Sequence, residues 1–335
     1  MGQTITNVSG ATTTYEWTVP NSIGYNLSLR VADYNDTSVN DTSDNLFAIK
    51  GSIRVDAPNG DESWLKGEIK KINWTPVGSY PGSVLIQYRN STSGDWLGNY
   101  TAAVGAHNVT QSYNWSVPND ITANATVKVS TQVGNASIDV NDTSNTTFKI
   151  KGQVTVSQPN TNVTWYVGET NRVIKWDAIG TVTPVKIEVS VNNGSSWNPV
   201  NASVTGVEGT NEYNWTPIPD YKNFTSCYIR VSDARSEFTG EVTDDSNVAF
   251  SILPQINVTQ PVANQNVSAH SSNTGIRWTY TGGKINDVDT YYSTDGGSNW
   301  TVFNTTDRAN ETTYFRYTPY SIADNVNVMP VVLLS

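Results

Sequence analysis

The segment YNWSVP, residues 113–118, returns along the chain as YEWTVP (15–20) and YNWTPIP (213–219), which sets Trp17, Trp115 and Trp215 at spacings of 98 and 100. A fourth copy, FRYTP (315–319), carries Tyr317 in the same slot. Working outward from this segment, three I-x-W triplets place Trp74, Trp176 and Trp278 at spacings of 102 and 102. Trp96, Trp197 and Trp300 stand 101 and 103 apart, and Trp64 and Trp165 stand 101 apart. All 11 tryptophans therefore fall on four recurring positions. Phe47, Phe148 and Phe250, in FAIKG, FKIKG and FSILP, close successive copies at spacings of 101 and 102. A fixed period of this length marks a tandem array of domains.

Between these landmarks the apolar residues alternate. IRVDAP (53–58) and VTVSQP (154–159) open the copies, and Pro58 and Pro159 end the strand pairing. A Trp–x–x–Gly turn follows (Trp64 to Gly67), then I-x-W, then VLIQYR (84–89) or VKIEVS (185–190). A glycine-bearing hairpin, Y-x-W, VKV or IRV, an Asp/Asn/Ser loop and F-x-I complete each copy. About seven short period-two strands per hundred residues, with no helical period, predict an all-β chain of tandem immunoglobulin/fibronectin-III-like antiparallel β-sandwiches. The expected units are 53–152 and 153–253, both complete. Residues 1–51 read as the back half of a repeat, and 254–335 as a repeat lacking its last strand. A chain that starts and stops in mid-repeat is expected to be cut from a longer array; the alternative is an end strand donated by a neighbouring chain. Junctions such as IKGSIRV have almost no linker, which predicts a stiff rod.

Hydrophobic residues make up 37% of the chain and charged residues only 15%, against about 25% in ordinary soluble domains. Asparagine, threonine and serine supply the missing polarity. A net charge of −10 argues against a nucleic-acid partner, which demands a basic footprint, and against an anionic membrane surface. No stretch approaches the ~20 apolar residues of a membrane helix, and MGQTITNVSG lacks the features of a signal peptide. The single cysteine, Cys227, alternates with Ile229 and Val231 on one strand face and reads as a buried, inert thiol.

Asn–x–Ser/Thr occurs 23 times, whereas random placement of the 38 asparagines among the 75 serines and threonines would give about 8 or 9. The excess makes covalent N-glycans the expected partners of this chain, with copies of itself or neighbouring surface proteins beside them. The candidate acceptors are Asn7, Asn26, Asn35, Asn40, Asn90, Asn99, Asn108, Asn124, Asn135, Asn141, Asn145, Asn162, Asn193, Asn201, Asn223, Asn257, Asn266, Asn304 and Asn310. Asn73, Asn114, Asn214 and Asn299 also head sequons, but each adjoins a repeat tryptophan, and folding is expected to hide some of them. Glycans are bulky and solubilising and would stand in for the absent charges.

Other chemistry is thinner. The loops around Asp41, Asp44, Asp142, Asp244 and Asp245 offer hard oxygen ligands for Ca²⁺, the sole cofactor the sequence suggests, although Asx turns account for the same residues. STDGGSNW (293–300) matches the Asp-box pattern and SVNNGSSW (190–197) nearly does; the expected content is a structural hairpin, since propeller blades recur at about 40–50 residues. Trp17, Trp74, Trp115, Trp176, Trp215 and Trp278 are expected in the cores. Trp64, Trp165 and the hairpin tryptophans are open to a sugar-stacking reading. His107 and His270 stand at non-equivalent positions and assemble no triad or zinc site, so no enzyme is expected.

The stretch IRVDAPNGDESWLKGEIKKINW (53–74), with YNWSVP, YNWTPIP and the terminal F-x-I, resembles the immunoglobulin-like repeats of bacterial and archaeal cell-surface proteins, related to the Kre9/KNH-like domain of fungal wall proteins. The last repeat departs from this pattern, with Val267 at the turn tryptophan and Tyr317 at that of Y-x-W. The resemblance implies an extracellular architectural role, in an archaeal surface-layer or filament glycoprotein, and carries over no catalytic residue. The alternative function is an adhesin or carbohydrate-binding module.

Overall fold

A computed structural model describes residues 5–221, 224–267, 274–283, 288–302, 315–317 and 327–331. The front segment contributes β1 (Gly24–Leu27), β2 (Arg30–Ala32), β3 (Asn40–Thr42) and β4 (Phe47–Ile49). The first complete repeat holds β5 (Ser52–Ala57), β6 (Ser63–Leu65), β7 (Ile69–Val77), β8 (Ser83–Arg89), β9 (Leu97–Ala103), β10 (Gln111–Ser116), β11 (Thr122–Thr131), β12 (Asn141–Thr143) and β13 (Phe148–Lys151). The second repeats the order with β14 (Gln153–Gln158), β15 (Thr164–Tyr166), β16 (Arg172–Ile179), β17 (Val185–Ser190), β18 (Asn198–Val204), β19 (Gly209–Trp215), β20 (Phe224–Asp233), β21 (Thr243–Asp245) and β22 (Phe250–Leu253). The last copy shows β23 (Gln255–Gln260), β24 (Thr274–Thr281), β25 (Asp289–Ser293), β26 (Thr301–Val302), β27 (Phe315–Tyr317) and β28 (Asn327–Val331). Among the described residues the one helical element is a single turn, Ser236–Phe238.

The chain forms two compact units. One comprises Met1–Gln153 with Ile179–Thr181, the other Val154–Ala178 with Val182–Ser335. In the first, a sheet ordered β10-β7-β5 faces a sheet ordered β6-β13-β11-β8-β9, with β12 paired to β11. Every pairing is antiparallel except β13 with β6, which runs parallel. The second unit reproduces this with β14-β16-β19 and β15-β22-β20-β17-β18, and β21 on β20. Alternation explains the strands: in β8, Val84, Ile86 and Tyr88 are buried while Ser83, Leu85, Gln87 and Arg89 are half-buried on the other face. β-branched and aromatic side chains suit such a half-buried pleated surface.

The tryptophans organise each core. Trp74 and Trp176 lie between the sheets with Ile72 and Ile174, all fully buried. At one end of the first sandwich, Trp64, Trp115 and Phe148 meet with ring centroids 5.0–6.3 Å apart. Trp165 repeats the arrangement against Trp215 at 6.0 Å and Phe250 at 4.8 Å. Such pairs contribute about 0.5–1.5 kcal/mol each beyond their area burial. Trp215 and Trp278 are buried as expected.

Trp17 is a correction. It is only half-buried, its ring neighbour among the described residues being Phe47 at 6.3 Å, and residues 15–17 form no strand. Its equivalents Trp115 and Trp215 are covered by β6 and β15 with their tryptophans, and the front segment has no such strand. The same deficit shows along the segment. Val31 is 78% exposed, whereas its equivalents Val129 and Val231 are at 0%. Val19 and Leu29 are exposed, whereas Val117, Ile218, Val127 and Ile229 are buried. Residues 5–51 thus present half of a sandwich core to solvent.

Candidate modification surface

Strand alternation decides where the sequon asparagines point. Ile72 and Trp74 face the core of the first sandwich, so Asn73 between them faces out, half-buried. Asn114 and Asn214, beside Trp115 and Trp215, are exposed, as is Asn299 beside Trp300. Of the four asparagines beside repeat tryptophans, only Asn73 is partly covered; at Asn114 and Asn214 the exposure follows because adjacent residues on a strand occupy opposite faces. Among the described residues, Asn73, Asn90, Asn135 and Asn201 are half-buried and all other sequon asparagines are exposed; none is buried. Asn223, Asn304 and Asn310 lie outside the described residues.

Side-chain hydrogen bonding to protein is more frequent at asparagines outside sequons than within them, although Asn45, Asn171, Asn198, Asn247 and Asn264 show none among the described residues. Outside sequons, Asn211 is buried and donates Nδ2 to the carbonyls of Val207 and Gly209, at 2.9 and 2.8 Å. Asn21 donates to Ser79 Oγ and accepts from the Ser79 N–H, at 2.9 and 2.7 Å. Asn160 accepts the Asn247 N–H at 2.6 Å and donates to the Val156 carbonyl at 3.2 Å. Asn192 binds Ser196 through both side-chain atoms. Within sequons, Nδ2 is donated to protein at Asn40, to the carbonyls of Thr37 and Ser38, and at Asn299, to Asp295. Asn99, Asn135 and Asn201 have only their Oδ1 engaged, by Gln87 Nε2, the Ser137 N–H and the Ser203 N–H respectively. Asn26, Asn108 and Asn193 have φ near +60°, a conformation that asparagine tolerates better than other side chains.

The acidic candidates go elsewhere. Asp142 Oδ2 accepts the N–H of Val55 at 2.8 Å, and Asp244 Oδ2 accepts that of Val156 at 2.7 Å, each on the outer edge of a three-stranded sheet. Asp245 forms a two-pronged pair with Arg230 at 2.6 and 2.8 Å, while Asp41 and Asp44 are exposed. Among the described residues no three His, Cys, Asp or Glu side chains come together as a metal cage. Two carboxylates that sequence reading passed over act as turn braces. Glu68 accepts the Leu65 N–H and Glu169 the Tyr166 N–H, at 2.9 and 2.7 Å. Their shared Trp–x–x–Gly–Glu setting was the available signal.

The hairpin residues serve structure. Ser293 Oγ donates to Asp295 Oδ1 and accepts the Gly297 N–H, and Asp295 takes the Asn299 N–H. The Asn299 and Ser293 donors hold the Asp295 carboxyl down at about 2. Ser190, Asn192 and Ser196 repeat the pattern. Arg89 and Lys128 sit over the Trp96 ring at 4.8 and 4.4 Å, and Arg230 over Trp197 at 4.0 Å, so a cation already stacks on each ring. Trp300 is exposed. Cys227 is fully buried, which pushes its thiol up to about 11 and keeps it unreactive. His107 Nδ1 accepts the Gly78 N–H at 2.8 Å; His270 lies outside the described residues. No helix among the described residues is long and apolar enough to cross a membrane.

No protein-family model matches the chain, and no curated protein matches it. Solved structures similar to it are tandem domains. Domains A168–A170 of titin align over 85% of this chain and 88% of that one, at 12% identity and a TM-score of 0.29. Fibronectin(III)-like modules of CbhA from Clostridium thermocellum cover 60% of this chain and 92% of their own, at 16% identity and a TM-score of 0.20. Three N-terminal domains of the bacteriophage RB49 outer capsid protein Hoc cover 77% and 80%, at 14% identity and a TM-score of 0.21. Superpositions this loose carry no weight of their own. The chain's membership among tandem immunoglobulin- and fibronectin-III-like β-sandwiches rests on its strand order, its paired sheets and its repeated cores.

Proposed function

We propose that this chain is a structural, extracellular repeat segment, N-glycosylated and rod-like, belonging to a cell-surface layer, filament or stalk. The observation that carries the reading is the division among the asparagines. Of the asparagines outside sequons, Asn21, Asn160, Asn192 and Asn211 donate Nδ2, while Asn45, Asn171, Asn198, Asn247 and Asn264 make no side-chain hydrogen bond among the described residues. Were the sequon asparagines present only to cap turns, they would be tied to the protein as commonly. Instead, Nδ2, the atom that a glycan must take, is spent inside the protein at Asn40 and Asn299 alone among the described sequons. The outward aim of Asn73, Asn114 and Asn214 extends the acceptor set to positions that adjoin core tryptophans. Glycopeptide mass spectrometry of the native protein tests the reading: glycan masses are expected across all repeats and absent from Asn40 and Asn299. Unmodified asparagines throughout would overturn it.

A second reading, a carbohydrate-binding or adhesive module, is favoured by one observation, the exposed ring of Trp300. Saturable binding on a glycan array that is lost in Trp300→Ala would support it, and a blank array would remove it.

A further inference from the structure

Each complete sandwich has four sheet edges, and an edge strand with free N–H and C=O groups is a template for adding another strand. The three-stranded sheets end on β5 or β14 at one side and on β10 or β19 at the other; the larger sheets end on β6 or β15 and on β9 or β18. Two of the four edges are closed by means already visible. β6 and β15 are only three residues long. On β5 and β14, Asp142 and Asp244 reach across to occupy the N–H groups of Val55 and Val156.

The other two edges carry a sequon in both repeats. Asn114 on β10 and Asn214 on β19 are repeat-equivalent, 100 residues apart. Asn99 on β9 and Asn201 on β18 differ by one register position, since Ile86 pairs with Tyr100 and its equivalent Ile187 with Asn201. In the partial repeats the place of Asn114 is taken by Glu16 and Arg316, so a charge stands wherever the sequon does not. Charged side chains on an edge are a known obstacle to strand addition. Asn114 and Asn214 are exposed and make no side-chain hydrogen bond to the protein, and Asn99 and Asn201 have only Oδ1 engaged, which leaves Nδ2 free at all four.

We propose that N-linked glycans on Asn99, Asn114, Asn201 and Asn214 block strand addition at these two edges. The assignment rests on the glycoprotein reading above and deepens it. An incoming strand must settle about 4.7–4.9 Å from the edge, in the space beside which each glycan is rooted. Steric bulk then does at β9, β10, β18 and β19 what charged side chains do on sheet edges in general.

The test compares the full chain from a host that attaches N-glycans with the same chain from a host that does not. The modified chain is expected to carry glycan at all four asparagines and to run as a monomer by light scattering. The bare chain is expected to associate, with new hydrogen-exchange protection on the amides of β9, β10, β18 and β19. Asn99→Lys, Asn114→Lys, Asn201→Lys and Asn214→Lys together should return the bare chain to monomer. Four lysines at Asn7, Asn35, Asn145 and Asn162, which alter net charge equally, should not. The proposal is overturned if the four edge asparagines are bare while other sequons are occupied, if the bare chain stays monomeric, if protection grows elsewhere, or if the two lysine sets act alike. If no asparagine carries glycan, the glycoprotein reading falls with it.

Discussion

Replacing Trp74 and Trp176 one at a time by phenylalanine separates packing from hydrogen bonding, because the two rings occupy equivalent places in sandwiches of the same design. Both are essentially fully buried. Trp74 Nε1 donates to the Val104 carbonyl at 3.0 Å, whereas Trp176 Nε1 finds no protein acceptor. Either substitution leaves a similar void, so the packing loss is common to both. Trp74→Phe also removes a hydrogen bond and leaves a buried carbonyl without its donor, a penalty of about 1–3 kcal/mol. Trp176→Phe removes a buried N–H that was already without a partner and so recovers part of its cost. Trp74→Phe should therefore be the more damaging by about 2 kcal/mol, near the upper end of a 5–30-fold change in the folded-to-unfolded ratio. Hydrogen exchange read by mass spectrometry reports β7 and β16 separately in the intact chain. Equal destabilisation of the two sandwiches, or the reverse order, would refute the reasoning.

Asp142→Ala should strip the acceptor from Val55 and cost about 1.5–3 kcal/mol, the range for a hydrogen bond to a charged group, read as faster exchange in β5. Asp41→Ala, at the equivalent but exposed position, should leave thermal stability unchanged. The Glu169 carboxyl is held below its usual range by Arg172, and further by the Tyr166 N–H, against an opposing push from burial. A depressed folded value gives stability that is complete above the unfolded pKa of about 4.3 and is lost as pH falls through the folded one. Exchange at Tyr166 should therefore quicken in acid below that point, and Glu169→Gln should make it insensitive to pH there. Chelation should leave the melting temperature unchanged, because Asp142, Asp244 and Asp245 are already committed to Val55, Val156 and Arg230; a drop of several degrees would count against that assignment.

How much was legible in the sequence depended on whether a residue sat on a strand. The register of Trp74, Trp176 and Trp278 could be read because alternation with Ile72, Ile174 and Ile276 fixes a face. Trp64 and Trp165 could not be settled that way. They sit in three-residue strands, β6 and β15, too short for alternation to show, and only the approach of Phe148 and Phe250 shows that they are core. Trp17 was misplaced for the converse reason: equivalence to Trp115 says where a ring would go if its partners were present. Asn114 and Asn214 were legible and were misread, since the alternation that buries Trp115 and Trp215 also turns their neighbours outward. Asp142 and Asp244 read as loop acids because their partners, Val55 and Val156, lie 87 and 88 residues earlier, and no local pattern reports a contact at that distance.

The shortage of charge and the excess of sequons bear on one physical problem. A chain of antiparallel sandwiches needs something on its open edges and outer faces that resists pairing with its own copies, and ordinary domains meet that need with Lys, Glu and Asp. Here the charged fraction is 15%, and several of those charges are not free to serve. Arg230 is held by Asp245, Arg172 by Glu169 and Arg235 by Asp233. Asp142 and Asp244 are spent on backbone. The first complete repeat carries nine sequons and the second five. Charge and sequon replace one another at the single position shared by Glu16, Asn114, Asn214 and Arg316. Substitution of one for the other at equivalent sites is what a common physical task requires, and an accident of turn composition gives no reason for it.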